Sequence, residues 1–414
     1  MIKPFFMSFF SLLLVVMFLN PLKSYGKETL NIAVLLTSGQ QRSIISSSLS
    51  QFSKENPDVD IKLIIYPDKE FKVELKKWLD SGEGPDVINW QAGERLYQYV
   101  RKNKIKSVDS IWKKYQLSDK FSQGSVSAVT LENKVYGIPI SYYQWGFYYR
   151  KSTFKKFNLS PPNTWDEFLE ICRVLKNNNI TPITLGNKNK WPSSAWFDYF
   201  DLRINGLDFH SKLLRGEISF DDDRVREVFK YWKQLLDLNY FIAHTHMWKW
   251  DEAMPFLYHH LAGMTLIGNF FTGRMPESLK DDFDFFRFPI IDDNVPIYEE
   301  APLDVFMLPH YTKITPTIER FLTFISSTKF QESLNHQLGM IPPNINVKDS
   351  DDYFSVVGKD MLNKAVGLSQ FFDRDTNDEM SSEATEIFTQ FIAKRNIEIA
   401  IEQLEKARNK HLLK

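Results

Sequence analysis

Cysteine is almost missing from this chain: Cys172 is the only one in 414 residues, so no disulfide can form within it. Its stability must therefore come from burial. Glycine and proline together fill 17 and 19 positions, too few for a collagenous or low-complexity chain, and 43% hydrophobic residues is too many for disorder. Charge of one sign is lacking as well. The 51 Lys and Arg against 52 Asp and Glu leave a net charge of −1, so the clustered basic surface that displaces counterions from nucleic-acid phosphates is not expected. No Gly-x-Ser-x-Gly, P-loop or His-Glu-x-x-His motif occurs, which removes the common signatures of hydrolases, phosphate-loop enzymes and zinc peptidases.

Aromatics, by contrast, are plentiful: 34 Phe, 17 Tyr and 10 Trp make up 15% of the chain. At 414 residues the chain also exceeds what one hydrophobic core supports, since cores stop growing near ~250–300 residues. Two lobes are expected. The longest apolar run, Phe5–Leu19, follows Lys3 and gives way to Ser24-Tyr25-Gly26. A membrane span needs about 20 apolar residues and this run has 15, so it reads as an export signal cleaved after Gly26. No Cys follows it, so a lipid-anchored form is not expected, and the released chain of 388 residues has 49 basic and 52 acidic side chains.

Beyond the leader, strand and helix alternate. Leu30–Leu36, Ile61–Tyr66 and Asp86–Trp90 read as strands, separated by helices in which Ile45, Leu49 and Phe52, then Phe71, Leu75 and Leu79, recur at helical spacing. This βαβαβ order predicts a parallel sheet with right-handed crossovers, and ligands in such sheets lie beyond the carboxyl ends of the strands. Ile140–Tyr149 reads as one aromatic strand. Thr164 followed by Glu167 is a capping box opening a helix, and Phe168, Cys172 and Leu175 share one face of it, so Cys172 reads as a small buried hydrophobe rather than a nucleophile. Asp221-Asp222-Asp223 reads as a helix N-terminus before Arg224–Leu238. Ala262–Ile267 is a small-residue strand ending at Gly268-Asn269-Phe270, Glu299–Leu308 is a strand interrupted by Asp304, and Thr315–Phe330 is a helix.

Several landmarks then fall in a recognisable order. Gly84-Pro85-Asp86-Val87-Ile88, Tyr136-Gly137-Ile138-Pro139, Tyr148-Tyr149-Arg150-Lys151, Pro161-Pro162-Asn163-Thr164-Trp165-Asp166-Glu167-Phe168, Gly263-Met264 leading to Gly268-Asn269-Phe270, and Gly339-Met340-Ile341-Pro342-Pro343 resemble those of bacterial solute-binding proteins of ABC transporters, carbohydrate uptake class, the maltose-binding-protein type. The resemblance covers nearly the whole chain after the leader. It implies an α/β, two-lobe periplasmic-binding-protein fold in which each lobe is a mainly parallel sheet flanked by helices and the ligand cleft lies at the hinge. The crossings would lie near Pro139–Tyr142, Pro302–Phe306 and Pro342–Asn346, giving an N-lobe of 27–139 with 304–342 and a C-lobe of 140–303 with 343–414.

The resemblance further implies a non-catalytic, monomeric, periplasmic receptor without cofactor or metal, which captures a sugar, oligosaccharide or polyol and hands it to a membrane permease complex. Sugar rings need flat apolar surfaces and fixed hydrogen-bonding groups. The matching ligand-binding positions are Ser38, Gln40, Asn89, Gln91, Tyr142, Trp145, Trp191, Trp196, Trp248, Trp250, Gly268, Asn269, Phe270 and Asp304, with Arg374 added from the run Phe371-Phe372-Asp373-Arg374-Asp375. Family members often carry an aromatic close behind the Gly of the Gly-rich loop. Here Asn269 intervenes, so either Phe270 stacks or Asn269 makes a polar contact. Arg374 has a rival reading as half of a structural ion pair, and each Trp has one as core packing. Other classes remain open: a receptor reporting to a periplasmic sensor or chemoreceptor, a carbohydrate-active enzyme with two facing carboxylates, and a metal-binding receptor using His244-x-His246 or His259-His260.

Overall fold

The computed structural model describes Met1, residues 27–35 and residues 39–413, without the side chains of residues 39, 40, 68 and 69. The leader and its cleavage point, Ser38 and the Gln40 side chain lie outside the described residues. From residue 27 the alternation read from the sequence is realised as β1 (Glu28–Leu35), α1 (Gly39–Glu55), β2 (Val59–Tyr66), α2 (Asp68–Ser81), β3 (Val87–Gln91) and α3 (Glu94–Arg101). β1 pairs in parallel with β2 and with β3. Every residue of β3 is buried, as expected of a β-branched strand covered on both faces. Phe71, Leu75 and Leu79 are wholly buried along one face of α2, which stops at Gly82, whose φ of 75° is left-handed and whose amide donates to the Trp78 carbonyl at 3.1 Å.

The aromatic run Ile140–Tyr149 forms two strands, not one. Ile138–Tyr142 belongs to the first sheet, antiparallel to Leu303–Pro309, and Trp145–Arg150 belongs to a second sheet. The break at Tyr143-Gln144 is where the chain changes sheets, and the buried Gln144 side chain holds it there by donating to the Phe354 carbonyl at 2.8 Å. A two-residue alternation is blind to such a change because both halves stay extended. Likewise the expected helix over 315–330 is two, Pro316–Ile325 and Thr328–Leu338. Ser327 separates them by capping the second, accepting the Phe330 amide at 3.2 Å.

The second sheet runs in the order Phe283–Phe286, Trp145–Arg150, Ala262–Gly268, Thr181–Ile183. Its first two pairings are antiparallel and only the last is parallel. In the first sheet Leu303–Pro309 is antiparallel to all three of its neighbours while only the two pairings of β1 are parallel, which corrects the expectation of a mainly parallel sheet in each lobe. The two central strands of the second sheet, Trp145–Arg150 and Ala262–Gly268, are more than a hundred residues apart in the chain, and nothing in a local pattern sets their relative direction. Thr164 and Glu167 do form a reciprocal capping box, and Asp222 caps Asp223–Asp237. Cys172 is fully buried, and burial raises its thiol far above the ordinary range, as a core side chain requires.

Two separate cores result. One draws on residues from Leu30 to Ile140 and from Leu303 to Leu334, the other on residues from Tyr143 to Ala301 and from Met340 to Ala407. Between them, Tyr142 pairs with Leu303 on one side and exchanges backbone hydrogen bonds of 3.0 and 2.8 Å with Ile341 on the other, so three chain segments run together at one point. Among the described residues no helix is long and apolar enough to cross a membrane.

Candidate ligand cleft

Beside that junction the second lobe assembles a group of rings. Phe270 lies at its centre, with ring centroids 5.1 Å from Trp250, 5.5 Å from Tyr143, 5.9 Å from Trp145 and 6.1 Å from Trp191. Trp145 also meets Trp191 at 5.9 Å and Phe371 at 4.4 Å. All six of these contacts are edge-to-face, the arrangement favoured by ring quadrupoles. Gly268 makes the group possible, because a Cβ there would lie 2.6 Å from the Phe270 ring and 2.7 Å from Trp145 Nε1. The ring of Trp250 also carries the Arg274 guanidinium at 5.0 Å.

Charged groups stand next to this wall. Arg374 donates from Nη1 to Asp304 Oδ1 at 3.1 Å and from Nη2 to Tyr143 Oη at 3.0 Å. The Arg374 and Asp304 side chains are only 12% and 29% exposed. Burial raises the Asp304 carboxyl above the ordinary carboxylate range while Arg374 pulls it down, and burial likewise pushes the Tyr143 phenol up against the pull of Arg374. Arg374 is thus half of an ion pair, as its rival reading had it, and that pair lies beside the rings. Tyr142, at the junction, is pushed up to about 12 by burial and keeps its proton.

Other expected positions fall elsewhere. Asn89 is turned inward and donates to the Val305 carbonyl at 3.1 Å, so it ties neighbouring strands. Gln91 lies opposite Asp304, and its buried Oε1 has no hydrogen-bond partner, nor has Trp145 Nε1. Trp196 is corrected to a core residue: it is 1% exposed, boxed by Phe147, Phe200, Phe241 and Phe288. The helix that bears it, Pro192–Ile204, is buried almost all round, and its lack of an apolar stripe is what made the segment read as an irregular rim. Trp248 packs edge-on against Phe256 at 5.5 Å and makes no ring contact with the Phe270 group among the described residues. Asn269 is also corrected. It is wholly buried, donates to the Gly339 carbonyl and accepts from Tyr148 Oη at 2.8 Å, leaving Phe270 as the residue that faces the other rings.

Two participants escaped the sequence reading: Tyr143 and Phe371. Tyr143 sits at the sheet change, where alternation gives no facing, and Phe371 was quoted only as part of the run containing Arg374. Glu94 opens α3, and its amide donates to Asp375 Oδ1 at 3.2 Å. Burial pushes its carboxyl up to about 7, with Arg101 opposing and Asp375 adding to the rise. A carboxyl raised in the folded state contributes stability below its unfolded value near 4.5 and loses it as pH rises through the folded value. Glu94→Gln should therefore gain about 1–3 kcal/mol on the parent between pH 4.5 and pH 8, read by urea unfolding at both. An equal difference at the two pH values would show that Glu94 does not titrate as described.

Known proteins share this family and fold. The family model described as bacterial extracellular solute-binding protein matches residues 38–332. An ABC transporter extracellular-binding protein of Pyrococcus horikoshii, PH1214, is 27% identical over 332 residues, 78% of this chain and 74% of the relative. The multiple sugar-binding protein of Streptococcus mutans is 25% identical over 168 residues, 38% of this chain and 36% of its own. Among solved structures, the bacterial solute receptor AcbH superposes with a TM-score of 0.86 at 23% identity, covering 93% of this chain and 98% of that one. A chitin oligosaccharide binding protein gives 0.85 at 20% identity, covering 94% and 100%. These two likenesses are of fold, the two-lobe fold. With well over half of its length matched, this chain belongs to the family of bacterial extracellular solute-binding proteins.

Proposed function

We propose that this chain is the exported, non-catalytic receptor of an ABC import system, and that it captures a sugar, oligosaccharide or polyol and delivers it to the permease. The observation that carries this reading is the adjoining of an aromatic wall, Phe270 with Tyr143, Trp145, Trp191 and Trp250, to the polar trio Asp304, Arg374 and Tyr143. Flat rings suit the C–H faces of a pyranose, and a small number of fixed polar groups suits its hydroxyls. Because Arg374 is already neutralised by Asp304, the site favours an uncharged ligand over an acid sugar. The unpartnered Trp145 Nε1 and Gln91 Oε1 supply one donor and one acceptor, and a ligand hydroxyl reaching either would remove a penalty of about 1–3 kcal/mol.

Relatives support the ligand class: AcbH has a preference for β-D-galactopyranose, and another fold neighbour, RafE, is a complex with raffinose. We further propose cleavage near Gly26, release into the periplasm without a lipid anchor, a monomeric state, and lobes divided at the crossings described above.

The test is a thermal-shift panel of neutral sugars, oligosaccharides and polyols. A bound member raises the melting temperature by linkage. With that ligand, Trp191→Ala and Phe270→Ala should each weaken affinity by about 1 kcal/mol or more, measured by calorimetric titration. A panel that shifts nothing sinks the carbohydrate assignment, and unchanged titrations for both variants take the ring group out of the site.

A further inference from the structure

Beside the crossing at Pro302–Phe306, where Gln370 accepts the Leu303 amide at 3.2 Å, the two lobes also touch, and the contact there is polar. α3 is anchored in the first core through Leu96, Tyr99 and Val100, whereas the segment following strand Gly367–Ser369 is anchored in the second through Phe371, Phe372 and Met380. Across the gap reaches Arg95, whose side chain is 4% exposed. It donates from Nε to the Asp373 carbonyl at 2.5 Å, from Nη1 to the Asp378 carboxylate, and from Nη2 to Ser381 Oγ at 3.2 Å. Tyr99 Oη donates to the second oxygen of Asp378 at 3.2 Å. In the opposite direction, Asp375 Oδ1 accepts the Glu94 amide at 3.2 Å. A carboxylate of one lobe thereby caps a helix of the other, whose own N-cap residue, Gly93, has no side chain to do so. Gly93 has a φ of 73°, and a Cβ there would lie 2.7 Å from Asp375 Oδ1, so glycine is what admits the carboxylate.

We propose that Arg95 and Asp375 form a reversible latch between the lobes, which favours the closed arrangement before any solute arrives and seats Arg374 against Asp304 as it engages. Three features lead there. The contacts join two separately built cores, so breaking them unfolds neither. They are polar, so water replaces each partner at a small net difference per hydrogen bond, as suits a surface between domains that move. And Arg374 stands between Asp373 and Asp375, both held by α3, so docking the segment and placing the site arginine are one movement. A solute binds the closed state, and its apparent affinity scales with the fraction of receptor already closed. The latch sets that fraction whichever solute the cleft takes.

The experiment uses the full released chain without added ligand. Spin labels are placed on Val73→Cys and Asp208→Cys, positions 63% and 82% exposed on the two lobes, and Cys172 is buried and unlabelled. Distance distributions are then compared for the parent, Arg95→Ala and Asp375→Ala. The latch predicts that both variants move population from the shorter to the longer interlobe distance with unchanged far-UV circular dichroism. Unchanged distributions in both folded variants overturn it. Loss of fold in both variants also overturns it, since the contact would then be a fixed part of the architecture. Because no sugar enters this measurement, a wrong ligand assignment cannot imitate either result.

Discussion

Trp196→Ala is expected to lower the unfolding free energy by about 3–5 kcal/mol, the range for emptying an aromatic site in a packed core. Phe147, Phe200, Phe241 and Phe288 surround the indole at centroid distances from 4.9 to 6.2 Å, and rings wedged edge to face cannot collapse into the cavity without abandoning each other. Trp191, five residues earlier, is only half-buried, so its removal should fall mainly on ligand affinity. The pair of variants separates two roles that the sequence treats alike. Urea unfolding measures the first effect, and a loss below 1 kcal/mol for Trp196→Ala would show that its ring does not hold the surrounding core together.

Arg374→Met should be comparably severe, about 3–5 kcal/mol, because it strands one charge of a shielded pair rather than removing both. Asp304 and the Tyr143 hydroxyl would lose a partner at 3.1 and 3.0 Å. The carboxyl of Asp304 is already raised by burial and held down by this arginine, so without it Asp304 rises further. The direction follows: a raised folded-state carboxyl contributes stability at low pH and loses it as pH rises, so the variant should be least impaired in acid. Adding Asp304→Asn should restore much of the loss, a non-additivity expected of directly coupled side chains. Additive losses in the double variant, or a deficit independent of pH, would mean that Arg374 and Asp304 do not act as a pair.

How far the site was legible can be told residue by residue. Phe270, Trp145, Trp191 and Trp250 are grouped as ligand-contact positions by the family resemblance, and in the structure their rings touch. Trp196 and Asn269 carried the same kind of signal and are core. Composition cannot separate them, because an irregular aromatic segment and a helix buried on every face both lack an amphipathic stripe. Tyr143 was passed over for its neighbour Tyr142, as the first strand ends at Tyr142 and Tyr143 lies in the break before the next one. Arg374 was proposed, but its partner could not be named: Asp304 is seventy positions away in the chain.

Local rules determined much of this protein. One cysteine, balanced charge, the βαβαβ alternation, the capping box at Thr164 and the cap at Asp222 are consequences of composition and of interactions between residues a few positions apart. The tertiary structure alone decided the direction of the second sheet, the division of the aromatic run between two sheets, which tryptophans gather around Phe270 and which pack elsewhere, and the reach of Arg95 from one lobe to the other. Each of those depends on residues tens to hundreds of positions apart, brought together only when both cores have formed, and no periodicity along the chain encodes which distant partner a side chain will meet.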